Sequence, residues 1–391
     1  MISMGFVIVI AERNPDSKAM AGVVIIAGIL CVIVAVKRII KSLMTVLVTK
    51  PAGKGNDLVD KIYEKRILEK GPKIVVIGGG TGLSTLLTGL KQKTSNITAI
   101  VTVADDGGSS GRLREEFDVL PPGDIRNCLV ALSGSEDLLG ALFQFRFTQG
   151  EGLHGHNFGN LFITALSRVT GDFASAIRES SKVLAIRGNV FPATLQKVKL
   201  VAKREDGRET VGECRVREEK GSPVEKVSLL PKDCSATEES VEAIRQADAI
   251  VLGPGSLYTS VMPNLLIEGI KKEVIKSKAP KIYICNVMTE AGETDNYSVS
   301  DHVRAVIKHT HPSAVNVCIA NIARIPKDSY EKYKEENKFP VKLDASDDEW
   351  FARENIKLVK ARIAGAQEFV RHDHIKLSNV IMDILNEYKA E

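Results

Sequence analysis

The sequence predicts an α/β protein built on a mostly parallel sheet, with helices on both faces and a small antiparallel β insertion. Three observations carry that prediction. Residues 73–84, KIVVIGGGTGLS, are a β-branched run broken by glycines, followed by the helical pattern Leu83, Leu86, Leu87, Leu90. The same order of strand, glycine turn and helix returns at residues 249–260, AIVLGPGSLYTS. Between them, residues 183–230 alternate apolar and polar side chains around Asp206-Gly207, the pattern of an antiparallel hairpin with one face in water. Unbroken apolar strands are those of a parallel sheet covered on both faces.

Glycine lets a backbone approach an anion, and the unpaired N–H groups at a helix start point toward it. Gly79, Gly80, Thr81 and Gly82 therefore read as a phosphate cradle, with a turn that only packs helix on sheet as the alternative. The spacing is neither the strict dinucleotide fingerprint nor a P-loop, since no Gly-Lys-Ser/Thr follows.

The 391 residues are 44% hydrophobic and 26% charged, the composition of an ordinary globular chain. A net charge of +4 gives no reason to expect nucleic acid as a partner. The cysteines, Cys31, Cys128, Cys214, Cys234, Cys285 and Cys318, form no C-x-x-C pair, so neither disulfides nor zinc are invoked.

Residues 20–36, MAGVVIIAGILCVIVAV, are uncharged and apolar, bounded by Lys18 and by Lys37-Arg38. They lie at the short end of what spans a bilayer. The sequence thus predicts a membrane anchor, and the basic residues after it place the following domain in the cytoplasm, on the inner face of the membrane. Residues 1–60 are read as anchor and linker, and residues 61–391 as the α/β domain, with the β insertion at about 183–232.

Along that domain, residues 97–103 form a second strand that ends at Asp105 and Asp106. Acidic residues there meet a ribose or a metal in open α/β sheets, and hydrated Mg²⁺ beside a phosphate suits two aspartates. A plain Asp-Gly turn is the alternative. Arg112 and Arg114 are candidate phosphate partners. Asp124 reads as the N-cap of a helix with Arg126 and Asn127 in its first turn. In residues 150–160, GEGLHGHNFGN, His154, His156, Asn157 and Asn160 make a candidate polar ligand loop. Arg187 is the insertion's candidate for the site. Ser235 and Glu238 fit a capping box. The second glycine turn offers Gly253, Gly255 and Ser256, with Leu257 and Tyr258 opening its helix. A strand at 281–286 brings Asn286 and then Thr289 into a further polar turn. His302, Arg304 and His309 belong either to the ligand edge or to a solvated helix. Arg371, His372, Asp373 and His374 read as the cap of the final helix.

The segments GGGTGLSTLLTGLK, NITAIVTVADDGGSSGRLR, PPGDIRNCLVAL, HGHNFGNL, ADAIVLGPGSLYTSVMPNLL and ICNVMTEAGET stand in one order. Together, over about residues 72–388, they closely resemble the gluconeogenesis factor family of bacteria, which is related to archaeal 2-phospho-L-lactate transferase. The resemblance implies a Rossmann-like fold and a UDP-sugar ligand such as UDP-N-acetylglucosamine. It also implies a regulatory role in cell shape and cell-wall precursor supply during gluconeogenic growth. Carried over, the glycines at 79, 80 and 82 with Thr81 hold phosphate. Asp105 and Asp106 face the ligand or Mg²⁺. Asn157, Asn160, Gly253, Gly255, Ser256, Leu257 and Tyr258 complete the pocket. The chain has Glu290-Ala291 where the family pattern has Gln-Pro. The expected partners are the nucleotide sugar and an amino-sugar or cell-wall biosynthetic enzyme, with a homo-oligomeric state and no obligatory redox cofactor.

Three functions compete at this stage: a UDP-sugar-binding regulator, a Mg²⁺-dependent transferase of a phosphate or nucleotidyl group, and a nicotinamide-dependent dehydrogenase. The missing dinucleotide fingerprint weakens the third, and no residue stands out as its acid–base group.

Overall fold

The computed structural model describes residues 15–47, 66–134, 138–219, 221–366 and 370–390. The chain divides into two compact units, residues 1–63 and residues 64–391. In the first, the described element is one helix, Pro15–Leu47. Among the described residues, no helix is long and apolar enough to cross a membrane. This corrects the anchor predicted at residues 20–36. The uncharged stretch rises about 26 Å at 1.5 Å per residue, short of a ~30 Å hydrocarbon core. It then runs into Lys37, Arg38 and Lys41 within the same helix.

The second unit is built on a seven-stranded sheet. Its strands are β1 (Ile74–Gly78), β2 (Ile97–Val101), β3 (Asn189–Pro192), β7 (Ala249–Leu252), β8 (Lys281–Ile284), β9 (Val317–Asn321) and β10 (Lys357–Ala361). They lie in the order β10-β9-β8-β7-β1-β2-β3, and every pairing is parallel. Strands β1, β7 and β8 are buried along their whole length: β1 and β7 are uncharged and mostly Ile, Val, Leu and Ala, and in β8 Lys281 and Tyr283 are buried with the two isoleucines. From β1 the chain builds outward through β2 to β3, returns to β7 on the other side of β1, and builds outward again. The junction of β1 and β7 is therefore the sheet's switch point, where such folds leave a crevice at the carboxyl ends of the strands. Right-handed crossovers in two directions put helices on opposite faces.

Local chemistry sets the helix boundaries. Asn157 caps the helix Phe158–Thr170 by accepting the Asn160 N–H at 3.2 Å, and Asp172 caps Phe173–Val183 through Ser175. Ser298 with Asp301, and Asp344 with Asp347, form capping boxes. Two expected caps each move by two positions. The helix Gly123–Leu132 starts after Pro122, so Asp124 lies inside its first turn. The helix Glu238–Arg245 starts after Thr237, whose hydroxyl donates to Pro192 O, so the Ser235–Glu238 box is not formed.

The stretch 183–230 divides between two sheets. Its start, β3, is the edge of the main sheet, paired with β2. The remainder forms a three-stranded antiparallel sheet, β5-β4-β6, from β4 (Lys199–Arg204), β5 (Glu209–Val211) and β6 (Val224–Leu230), with Asp206-Gly207 at the hairpin. A short hairpin, β11 (Ala364–Ala366) with β12 (Val370–His372), precedes the final helix His374–Ala390. Within the antiparallel unit, Arg204 is wholly buried. Its guanidinium donates to four backbone carbonyls, of Ser222, Gly292, Val216 and Glu219, at 2.6–3.1 Å. It ties this unit to the loop after β8.

Candidate functional site

A cleft of about 510 Å³ opens at the switch point. Its floor is the two glycine turns, packed backbone to backbone. A Cβ on Gly82 would stand 2.7 Å from Pro254 O, and one on Gly255 3.2 Å from Gly79 O. Only glycine permits that approach. Gly80 opens the helix Gly80–Leu90 at φ +69°, and its N-cap, Gly79, has no side chain to cap it. The Gly80 N–H is taken by Asp124, and the N–H groups after it are placed for an anion.

Asp105, Asp124 and Asn127 form one wall. Asp105 Oδ1 accepts the Gly107 N–H at 2.9 Å. Burial, reinforced by the Asp105 charge, pushes the Asp124 acid up to about 6, and a hydrogen bond from the Gly80 N–H partly offsets this. Glu213 and Arg217, from the helix Glu213–Glu218 of the antiparallel unit, also face the cleft and pair with one another. Burial raises Glu213 to about 7, and Arg217 opposes that shift.

Later segments complete the cleft: Asn286, Val287, Met288 and Glu290 after β8, then Tyr333, Lys338, Arg371 and His372. Glu290 pairs with Lys338 at 3.6 Å. Burial holds His372 down to about 4, so it is neutral and its Nε2–H donates to Cys285 O at 3.2 Å. The cleft thus has carboxylates beside the glycine turns, three cations (Arg217, Lys338, Arg371) and a mixed apolar and aromatic surface in Val287, Met288 and Tyr333.

Of the residues singled out from the sequence, Gly79, Gly80, Thr81, Gly82, Asp105, Asp124, Asn127, Gly255, Ser256 and Asn286 line the cleft. The others are engaged elsewhere. Both carboxylate oxygens of Asp106 accept backbone N–H groups, of Glu213 at 3.1 Å and Cys214 at 2.8 Å. Asp106 therefore anchors a helix start. It also lies within 4.8 Å of ligand atoms of Glu213 and Cys214, but its own two oxygens are already taken by these N–H groups, and burial raises the thiol to about 12. His156 is buried with Nδ1 3.1 Å from Ser109 Oγ, and Asn157 and Asn160 serve the helix start beside it. Gly253 stands behind the turn at φ +83°. Leu257 and Tyr258 are buried, the Tyr258 hydroxyl against that of Tyr297. Thr289 exchanges hydrogen bonds with Phe339. Arg187 is exposed just before β3, at the amino edge of the sheet, opposite the cleft. Arg112 and Arg114 donate to the carbonyls of His154 and Val198. His302 and His309 bond to the helix turn before them.

Six cleft residues carried no local signal: Glu213, Arg217, Tyr333, Lys338, Arg371 and His372. Arg371, His372, Asp373 and His374 were expected to cap the final helix; Asp373 does so, accepting from Ile375 N and Lys376 N at 3.0 Å, while Arg371 and His372 line the cleft. Only the long-range fold brings these six to the glycine turns.

Fold and cleft together define a class: a parallel α/β protein whose ligand cleft opens at the switch point between two glycine turns. Residues 74–364 match the family described as 2-phospho-L-lactate transferase CofD, and the chain belongs to that family. It is 47% identical to the gluconeogenesis factor of Bacillus subtilis, over 81% of this chain and 99% of that protein. It is 52% identical to the gluconeogenesis factor of Halalkalibacterium halodurans, over 70% of this chain and 85% of that protein. A crystal structure of a Bacillus halodurans protein superposes with a TM-score of 0.77 at 47% identity, covering 80% of this chain and 100% of that one.

Proposed function

We propose that this protein is a UDP-sugar-binding regulator, of the UDP-N-acetylglucosamine type, acting in the cytoplasm on cell shape and cell-wall precursor supply during gluconeogenic growth. The observation that carries the reading is the contact between the glycine turns after β1 and β7, with a helix start whose glycine N-cap has no capping side chain at the cleft. A diphosphate sits naturally there. The wall of Val287, Met288 and Tyr333 suits a nucleobase, and Lys338 and Arg371 suit the negative charge of the diphosphate. The relatives' name, gluconeogenesis factor, supports the gluconeogenic setting, and the role in cell shape and cell-wall precursor supply rests on the resemblance alone. As a regulator it acts through a partner, an amino-sugar or cell-wall biosynthetic enzyme, and as a homo-oligomer.

The carboxylates next to a phosphate cradle call for a cation. Asp105 and Asp124 fit Mg²⁺: both are hard oxygen donors on the cleft wall, and burial together with the Asp105 charge raises the cost of ionising Asp124, a cost that a cation would offset. Mg²⁺ there neutralises phosphate charge. Asp106 does not fit, because its oxygens already hold a helix start.

A second reading is favoured by the same pair and by the family match: a Mg²⁺-dependent transferase of a phosphate or nucleotidyl group. Calorimetry of UDP-N-acetylglucosamine binding with and without Mg²⁺, followed by phosphorus NMR of the same mixture, separates the two. Binding with an unchanged phosphorus spectrum supports the regulator. New phosphorus signals support the transferase, and absence of binding rejects the UDP-sugar regulator.

A further inference from the structure

We infer that Arg126 is a positioning residue: it fixes the side-chain amide of Asn127 so that its NH₂ group faces the cleft and donates to an oxygen of the ligand. Asn127 lines the cleft, and its Oδ1 accepts from Arg126 Nη2 at 2.6 Å. A guanidinium has donors and no acceptor, so the amide must turn its oxygen to Arg126. Its nitrogen is then left toward the open side. Among the described residues, Asn127 Nδ2 has no hydrogen-bond partner.

The setting of Arg126 argues that this bond is its purpose. Its stem lies on Gly159, where a Cβ would stand 2.8 Å from its Cδ and 2.9 Å from its Cγ. Its Nε and Nη1 are buried with no partner. A buried cation with unmade bonds destabilises the fold. Here it holds one side chain of the cleft. Burial and the nearby Arg146 lower it to about 10, so it stays charged, and a donor only, at neutral pH. The consequence is a defined polarity. Asp105 and Asp124 can only accept or bind a cation, while Asn127 beside them donates. The wall therefore recognises a ligand oxygen, of the phosphate or of the sugar.

The ligand named here rests on the nucleotide-sugar reading; the geometry does not. Calorimetry with UDP-N-acetylglucosamine tests the ligand. Asn127→Ala should weaken binding by about fivefold, the loss of one hydrogen bond. Asn127→Asp should weaken it more, because one carboxylate oxygen keeps Arg126 and the other meets the ligand oxygen. Arg126→Met should match Asn127→Ala and add nothing in the double variant, and Arg126→Lys should recover most of the affinity. If the losses add, or if Asn127→Asp binds like wild type, the inference is wrong. The same series with UDP assigns the acceptor: a loss that persists places it on phosphate, and one that vanishes places it on the sugar. Without any ligand, the ¹⁵N side-chain amide signal of Asn127 should move on Arg126→Met. An unmoved signal overturns the positioning role. Wild type that binds no UDP-sugar overturns the nucleotide-sugar reading instead.

Discussion

The Asp124 carboxylate fills the space that a side chain on Gly79 would need: a Cβ there would stand 2.6 Å from Asp124 Oδ2. The same Cβ would also stand 2.6 Å from Thr102 Cγ2. The glycine at 79 thus does two jobs. It lets the strand turn into the cradle, and it seats an acidic side chain against the cradle's backbone. Gly79→Ala is expected to push Asp124 out of place at a cost of about 1–3 kcal/mol in stability. UDP-N-acetylglucosamine affinity should fall at least tenfold in protein that is still folded. Thermal unfolding and calorimetry on the same sample check it, and a folded variant with wild-type affinity removes Asp124 from the site.

The adjacent aspartates are predicted to separate in function. Asp105→Asn or Asp124→Asn should abolish any Mg²⁺ dependence of binding. Asp106→Asn should instead loosen the start of the helix Glu213–Glu218, lowering stability by about 1.5–3 kcal/mol, the range for hydrogen bonds to a charged group. Its Mg²⁺ dependence should survive. Titrating Mg²⁺ into each variant at fixed ligand distinguishes them, and a loss in Asp106→Asn equal to that in Asp105→Asn would return the metal to the adjacent pair.

What could be read in the sequence follows from range. The strands announced themselves because a doubly covered parallel strand must be apolar throughout, as in Ile74 to Ile77 and Ala249 to Leu252. Both glycine turns were visible because their constraint is local. Asp106 misled, since a carboxylate that caps a distant helix has the same neighbours in sequence as one that meets a ligand. Arg187 misled because nothing local says which end of a strand it stands at. Tyr333, Lys338, Arg371 and His372 were invisible for the converse reason: their neighbours in sequence are ordinary surface residues, and only the order of strands carries them to the cleft.

Arg204 is expected to be the residue of the antiparallel unit least tolerant of change. Arg204→Met would leave the carbonyls of Ser222, Gly292, Val216 and Glu219 without their donor. A hydrogen bond to a charged group contributes about 1.5–3 kcal/mol, and carbonyls left buried without a donor add to the loss. The same guanidinium holds the far end of the helix that carries Glu213 and Arg217, so ligand affinity should fall with stability. Urea unfolding of wild type, Arg204→Met and Arg204→Lys gives the order expected, with Lys intermediate because it has fewer donors in a less fixed geometry. A shift in Arg204→Met of less than 1 kcal/mol, on the order of a surface change, contradicts it.

Glu293 gives the pH dependence a sign. It is buried beneath the second glycine turn, where Ser256 Oγ and Thr259 Oγ1 donate to it at 3.2 Å. Burial first, and then the charge of Glu290, raise its acid from 4.5 to about 7, against the opposing pull of Arg217 and the two hydroxyls. Between those values the folded state holds a proton that the unfolded state has lost. Stability therefore falls as pH rises from 4.5 to about 7, and it is flat above, as far as this group is concerned. Glu293→Gln keeps an oxygen for Ser256 and Thr259 and removes the titration. It should match wild type near pH 5 and exceed it near pH 8, by on the order of 2–3 kcal/mol from the shift of the acid. Urea unfolding of both proteins at the two pH values measures the difference. A variant less stable than wild type at pH 8 would mean that the ionised carboxylate, held by Arg217 and the two hydroxyls, is the form the fold prefers.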